Sequence, residues 1–330
     1  MSVKTLHLKN YVAALHSISV VNLLILSCIC SHKVEAATKA RKLLSWFRCT
    51  YTLGIIASML SSFRRNSSFN NIRRRVYNTD QMLVYLKQPL NYKILTVFLV
   101  TQYITMLVSG SLSFTLTLLE VIHQSTWYVL SRSFLECYHL IFDFLVTIQF
   151  NFFSFLFIFR FKNLENLLKN IQQDECRSSL KLLLTASRMY GDIFYGVEIL
   201  NEMNSFPLLV LTSQRTLNLL VVVTMIYNGE QNRTDYLIIS VIMLNTLLII
   251  LPVYLFTKLG EKFCNILGEC NNCYTDLEMS SAKNSFLLQL CHQKIKWSIY
   301  NIFPLTVDCI SDIVTFGITI VIFLFKLENI

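Results

Sequence analysis

Tyr138 to Phe159 reads YHLIFDFLVTIQFNFFSFLFIF, a run whose one formal charge is Asp143. A helix rises about 1.5 Å per residue, so a stretch of this length crosses a hydrocarbon layer of about 30 Å. Similar apolar blocks recur at about 11–31, 43–62, 94–118, 206–227, 236–256 and 303–325, which with this one makes seven. The whole chain follows suit: of 330 residues 54% are hydrophobic and only 15% charged, with 8 Gly, 4 Pro and a mean hydropathy of +0.50. No segment shows the alternation of a membrane barrel strand, and lipid offers no partner to unpaired backbone groups, so the blocks must be helices. The expectation is an all-α fold, a seven-transmembrane helix bundle. His16 and Asn22 interrupt the first block and Arg48 lies near the start of the second. Val20 to Ile29 has the length of a signal-peptide core, but no small-residue cleavage pattern clearly follows, and the block is read as a retained span.

Basic residues resist transfer across the bilayer and so fix orientation. With the N-terminus inside, inner segments hold 20 of the 29 Lys and Arg and outer segments 7, while Arg48 and Arg215 lie within spans. The four in the first outer loop, Lys33, Lys39, Arg41 and Lys42, run against the trend without reversing it. The N-terminus is expected in the cytoplasm and the C-terminus outside. Asn232-Arg233-Thr234 then falls in an outer loop, which makes Asn232 the candidate glycosylation site, whereas Asn66-Ser67-Ser68 lies inside. The net charge of +9 reads as inner loops beside anionic lipid rather than a nucleic-acid surface, and Arg73-Arg74-Arg75 as a positive-inside anchor.

The ten cysteines do not form an extracellular framework. Cys28, Cys30, Cys49, Cys137 and Cys309 lie in or beside spans, and the rest fall in inner segments, where thiols stay reduced. Cys270-Asn271-Asn272-Cys273 has half the spacing of a zinc site, and His292 alone does not complete it, so no metal is expected. No phosphate-loop, dinucleotide, zinc-protease or nucleophile-elbow string occurs, nor an ordered acid, His and nucleophile set. The chain does not read as an enzyme, and no cofactor is implied.

Two inner segments are too long for simple loops. Phe161, Leu164, Leu167, Leu168 and Ile171, then Leu180, Leu182, Leu183, Leu184 and Met189, recur at helical spacing among charges. Residues 160–205 are therefore expected as amphipathic helices below the membrane. Leu259, Phe263, Ile266, Leu267, Phe286, Leu287, Leu290 and Ile295 repeat the pattern across 258–302. They pack within one chain or form a platform for subunit assembly.

The last block, FPLTVDCISDIVTFGITIVIFLF from 303 to 325, carries two acids. Asp308 and Asp312 are four residues apart and share a face, which Thr315 and Thr319 continue. Such a polar stripe faces a bundle interior or water; alternatively the acids pair with Lys294, Lys296 or backbone groups at the helix start. Further polar residues interrupt other spans: Gln102 and Tyr103, Asp143, Gln149 and Asn151, Arg215, and Asn245. These are the candidate ligand-binding residues, with Tyr103, Asp143, Gln149, Arg215 and Asn245 foremost. Asp143 and Arg215 are expected to satisfy one another, because an unpaired charge at a helix centre costs about 2.5–3.5 kcal/mol on the insertion scale. Trp127 and Tyr128, in the outer loop, read as an interfacial aromatic belt.

From Asn284 the string NSFLLQLCHQKIKWSIYNIFPLTVDCISDIVTFGITIVIF resembles the C-terminal signature of insect gustatory receptors. The shared features are Leu288-Gln289-Leu290 with His292 nearby, a Phe before the last span, an acid following it, and a T-Y-x5-Q-F motif present here as Thr315, Phe316, Ile322 and Phe323. Leu182, Tyr190, Asn201 and Phe206 are similar to the family pattern before the fifth span. The likeness is strong over about the last 150 residues and extends to the whole chain by span count. Phe316 keeps the motif's ring without its hydroxyl, Ile322 replaces its Gln, and the chain is short for the family.

The resemblance implies a tastant-gated, non-selective cation channel, a homo- or hetero-tetramer with related subunits, in the plasma membrane of chemosensory neurons. Its division would be a six-span ligand-binding bundle over 1–256, assembly helices over 257–302, and a pore-lining span with an extracellular tail over 303–330. Fourfold symmetry would set eight carboxylates of Asp308 and Asp312 near the inner mouth, and Phe316, Ile322 and Phe323 would stand at the gate, where apolar rings close by dewetting. The insect odorant receptor is the nearest alternative. A G-protein-coupled receptor would place the N-terminus outside and lacks here its Asp-Arg-Tyr and Asn-Pro-x-x-Tyr strings, and a secondary transporter predicts repeats and broken helices that do not appear.

Overall fold

A computed structural model describes residues 49–59, 66–86, 88, 92–121, 126–173, 176–227, 233–269, 277–300 and 303–305, with Thr315 and Thr319. The described helices are α1 (Cys49–Met59), α2 (Asn66–Tyr85), α3 (Lys93–Val121), α4 (Thr126–Gln173), α5 (Cys176–Tyr227), α6 (Arg233–Glu269) and α7 (Leu277–His292). Two short strands follow, β1 (Ser298–Ile299) and β2 (Phe303–Pro304), paired antiparallel with Ser298 opposite Pro304. The architecture is the expected all-α bundle. Among the described residues three helices are long and apolar enough to cross a membrane, over Leu95–Leu112, Val129–Lys169 and Met243–Gly268. The first expected span lies outside the described residues, as does nearly all of the seventh.

The expected inner helices prove to be continuations of the spans. α4 has 48 residues and α5 has 52, so each is about 70–80 Å long, more than twice the hydrocarbon thickness. No Gly or Pro interrupts α4 after Phe159, and the helical repeat simply carries on into the extension. α6 likewise runs unbroken past residue 256 to Glu269. Trp127 is also helical, in the first turn of α4 with 83% of its surface exposed, rather than in a loop. With no breaker between it and the apolar block, the helix starts a dozen residues earlier than the apolar block alone predicts.

The core of the bundle continues into the extension. The Phe161 ring of α4 lies 5.0 Å from both Phe256 and Phe263 of α6, and Tyr190 of α5 lies 6.0 Å from Phe263 and from Phe286 of α7. Trp297 caps this cluster against Phe150 and Phe256. Charges ring it in pairs: Arg160 of α4 with Asp80 of α2 at 2.7 Å, Arg75 of α2 with Asp192 of α5 at 3.0 Å, and Glu165 of α4 with Lys169 at 2.8 Å and Lys262 of α6 at 2.9 Å. α4 and α5 cross at Gly196, where a Cβ would come within 2.5 Å of the Phe157 ring; only glycine allows this approach.

One expected boundary is corrected. The last span does not begin at Phe303: Phe303 and Pro304 form β2, and the Leu305 amide donates to the Trp297 carbonyl. Proline has no N–H for a helix interior, and here it closes a two-residue ladder instead.

Candidate functional site

α4 carries a polar column that follows directly from helical geometry. His139, Asp143, Thr147 and Asn151 recur every four residues, so they stack on one face, and each rung meets a different partner. The His139 Nε2 lies 3.1 Å from the Thr52 hydroxyl of α1, with the Tyr51 ring edge-on at 4.7 Å. Asp143 accepts from the Arg215 guanidinium of α5 at 2.6 Å and from the Thr147 hydroxyl at 3.2 Å. Asn151 donates its amide to the Leu248 carbonyl of α6 at 3.0 Å.

The last contact has a covalent cause. Pro252 lies within α6, four residues beyond Leu248. Lacking an N–H, it leaves the Leu248 carbonyl without its helical donor, and in an apolar environment that carbonyl must find another. Asn151, fully buried, supplies it. Its position in the column is therefore structural.

Arg215 is 94% buried; its Nε and Nη1 and the side-chain oxygens of Asn151 and Asn245 have no hydrogen-bond partner among the described residues. Gln102 of α3 is 99% buried with neither amide atom partnered among them. Ring contacts set α3 against α4, Phe98 on Phe155 and Tyr103 on Phe144, so Gln102 lies at the depth of this column. Asn245 stands one turn from Leu248 on α6. Unsatisfied polar atoms in an apolar bundle are costly, and each of these is open to a further donor or acceptor.

The structure thus joins Asp143 to Arg215 as the sequence suggested, puts Asn151 two turns further along the same face against Leu248, and buries Gln102 and Asn245. Tyr103 is half-exposed beside Phe144, and Gln149 is half-buried away from the column. His139, Thr147 and Thr52 were not anticipated; the four-residue period from 139 to 151 is a signal for the first two, and none marks Thr52, which lies on α1.

A second polar set grips the approach to the last span. On α5 the Tyr190 hydroxyl donates to the Gln293 carbonyl at 2.5 Å, Asn201 donates to the Lys296 carbonyl at 2.6 Å, and the Ser205 hydroxyl accepts the Tyr300 amide at 3.0 Å. Gln289, within the Leu-Gln-Leu string, accepts from Ser187 at 2.6 Å. Three side chains on one stripe of α5 therefore hold the backbone of 293–300. Tyr300 sits there at φ 54°, a left-handed conformation that ordinary residues avoid and that the surrounding bonds must hold. Beside it a cleft of about 600 Å³ is lined by Glu198, Glu202, Lys294 and Lys296.

Of the expected pore residues, Thr315 and Thr319 are helical and exposed, and the Thr319 hydroxyl donates to the Thr315 carbonyl at 2.8 Å. Asp308, Asp312, Phe316, Ile322 and Phe323, and the sequon residue Asn232, lie outside the described residues. Cys49, Cys137 and Cys291 are not in disulfides.

No protein-family model matches the chain, and no curated protein matches it by sequence. Among solved structures, the insect olfactory receptor OR5 from Machilis hrabei superposes with a TM-score of 0.67 at 15% identity, over 95% of this chain and 89% of its own. The same receptor in complex with eugenol gives 0.63 at 16% identity over the same shares. Identity this low speaks to architecture. The chain has the helical fold of an insect olfactory receptor.

Proposed function

We propose that the protein is an insect gustatory receptor, a tastant-gated non-selective cation channel of the chemosensory plasma membrane. The carrying observation is the fold of an insect olfactory receptor over nearly the whole chain, joined to a C-terminal string that resembles the gustatory signature. An olfactory receptor is the second reading, favoured by the identity of that structural neighbour, which is described in complex with a small aromatic ligand.

In this reading the N-terminus is cytoplasmic and four subunits surround a pore lined by the last span. Asp308 and Asp312 draw cations to its inner mouth, Thr315 and Thr319 continue the polar face, and Phe316, Ile322 and Phe323 form the gate. The extension, including 257–302, holds the subunits together. Small molecules enter among the upper helices near Tyr103, Asp143, Gln149, Arg215 and Asn245, and Asn232 carries a glycan. The grip of α5 on 293–300 supports a coupling route, since Arg215 and the gripping residues lie on one helix, with Pro207 between them.

Whole-cell currents recorded in a null cell across tastant and odorant panels test this reading. A ligand-evoked cation current that survives block of G-protein signalling is expected, and tastants should outperform volatile odorants; a current that vanishes under the block overturns it. Ile322→Gln, which restores the family residue, should raise basal current or alter cation selectivity. Unchanged current would remove Ile322 from the pore.

A further inference from the structure

α2 is an amphipathic helix whose two faces have different fates. Ile72, Thr79 and Leu83 are buried against the bundle, and Arg75 is fixed between Asp192 and the Tyr195 ring. The opposite face carries Asn70, Arg73, Arg74 and Tyr77, at i, i+3, i+4 and i+7, all exposed. These four, with Val76 and Asp80, line a cleft of about 610 Å³. The one carboxylate there, Asp80, is held by Arg160 at 2.7 Å and accepts from Tyr92 at 3.2 Å. Arg73 and Arg74 have no carboxylate partner among the described residues.

Depth supplies the second observation. The Phe69 ring of α2 packs on Phe153 of α4 at 5.6 Å, inside the apolar run, while Asp80 bonds Arg160, the residue at which that run ends. Arg73 and Arg74 fall between these levels, where hydrocarbon gives way to headgroups. Phe69 and Tyr77 remain 41% and 61% exposed beside them, as aromatic side chains do at a membrane interface. A guanidinium fork matches phosphate oxygens.

We propose that this cleft binds the phosphate-bearing headgroup of an anionic membrane lipid, its acyl chains lying along Phe69 toward the bilayer. The site goes beyond the receptor reading and is independent of whether the channel serves taste or smell. Its natural lipids are those of the cytoplasmic leaflet, given the positive-inside placement of 63–93.

The test uses the full chain purified in neutral detergent, with binding followed by thermophoresis. The probes are dioctanoyl phosphatidylinositol 4,5-bisphosphate, dioctanoyl phosphatidylserine, dioctanoyl phosphatidylcholine and soluble inositol trisphosphate. Saturable binding of at least one anionic lipid is expected, with phosphatidylcholine inert and inositol trisphosphate clearly weaker. R73Q/R74Q should weaken that binding roughly tenfold or more with an unchanged melting temperature, since both side chains are exposed. Equal affinity in the variant, equal binding of phosphatidylcholine, or soluble headgroup binding as tight as lipid would each overturn the proposal. Should the variant fail to fold, a photoactivatable anionic lipid on the unaltered protein is expected to label the peptide from Phe69 to Tyr77, and labelling elsewhere would overturn it equally.

Discussion

The polar column on α4 and the aromatic extension beyond it are built on the same helices, yet they are held together differently. In the extension, Arg160, Arg75 and Glu165 each bridge two helices, around a core of Phe161, Tyr190, Phe256, Phe263 and Phe286. In the column, one ion pair and single hydrogen bonds join the helices; buried polar atoms without partners among the described residues occur in both regions, on Arg215, Asn151, Asn245 and Gln102 in the column and on Arg160, Asn163, Asn201 and Trp297 in the extension. On the membrane placement expected from the sequence, the extension stands in water, where apolar burial drives packing, and the column in lipid, where apolar burial gives little and packing and polar contacts must hold helices together. The aromatic core and cross-helix ion pairs of the extension suit it to remain fixed, whereas the column, with fewer such ties, is suited to rearrange.

The largest expected effect lies in the extension. Phe161→Ala empties the centre of the aromatic cluster and should cost about 3–5 kcal/mol. Thermal unfolding of the purified protein would show a lowered midpoint, and size-exclusion chromatography a loss of assembled material. A midpoint unmoved by this truncation would deny that the extension is the rigid half.

Next comes the ion pair of the column. Asp143→Ala strands a buried guanidinium, at about 2.5–3.5 kcal/mol on the insertion scale, and surface expression should fall. Asp143→Arg combined with Arg215→Asp should recover much of it. Independent, additive losses in a double-mutant cycle would mean that the 2.6 Å contact contributes nothing.

A smaller effect separates a structural amide from a functional one. Asn151→Leu should destabilise the protein by roughly 0.6 kcal/mol, the usual scale of an interhelical hydrogen bond in lipid. Pro252→Ala restores the missing N–H to α6, so in that background the Asn151 loss should shrink. If it does not, the freed carbonyl is not the reason for the asparagine.

Much of this was legible in the sequence, for definite reasons. Length and hydropathy identify a span wherever an apolar block is uninterrupted, and the cost of burying charge made Asp143 and Arg215 partners before any coordinates. The i+4 recurrence that built the column was equally present at His139 and Thr147, but neither is charged, and a lone His or Thr in a span draws no notice. Helix ends were less legible: α4 carries no breaker where it leaves the apolar block, α5 runs straight through Pro207 at the edge of its own, and nothing in Phe303 shows that the chain first turns back on Trp297. The link from Pro252 to Asn151 joins residues on two helices, and single-sequence periodicity holds no such information.

The mildest prediction contrasts two acids of the extension. Burial works to raise the pKa of Glu165, but hydrogen bonds and charge from Lys169 and Lys262 outweigh it and hold the carboxyl below the ordinary range. Burial prevails at Asp192, whose pKa is raised although Arg75 opposes the shift. A depressed folded pKa contributes stability that is present above the unfolded value and is lost as pH falls through the folded one; a raised pKa does the reverse, favouring the folded state below the unfolded value and losing that advantage as pH rises. Acidification from roughly pH 5 removes the Arg75 bond of Asp192 and the lysine bonds of Glu165 alike, but the two protonations act on stability with opposite sign. Melting midpoints recorded across the acid limb should become less steep in Glu165→Gln and steeper in Asp192→Asn. Matching slopes in the two variants would mean that the two ion pairs are equivalent, and that the extension is less differentiated than its geometry indicates.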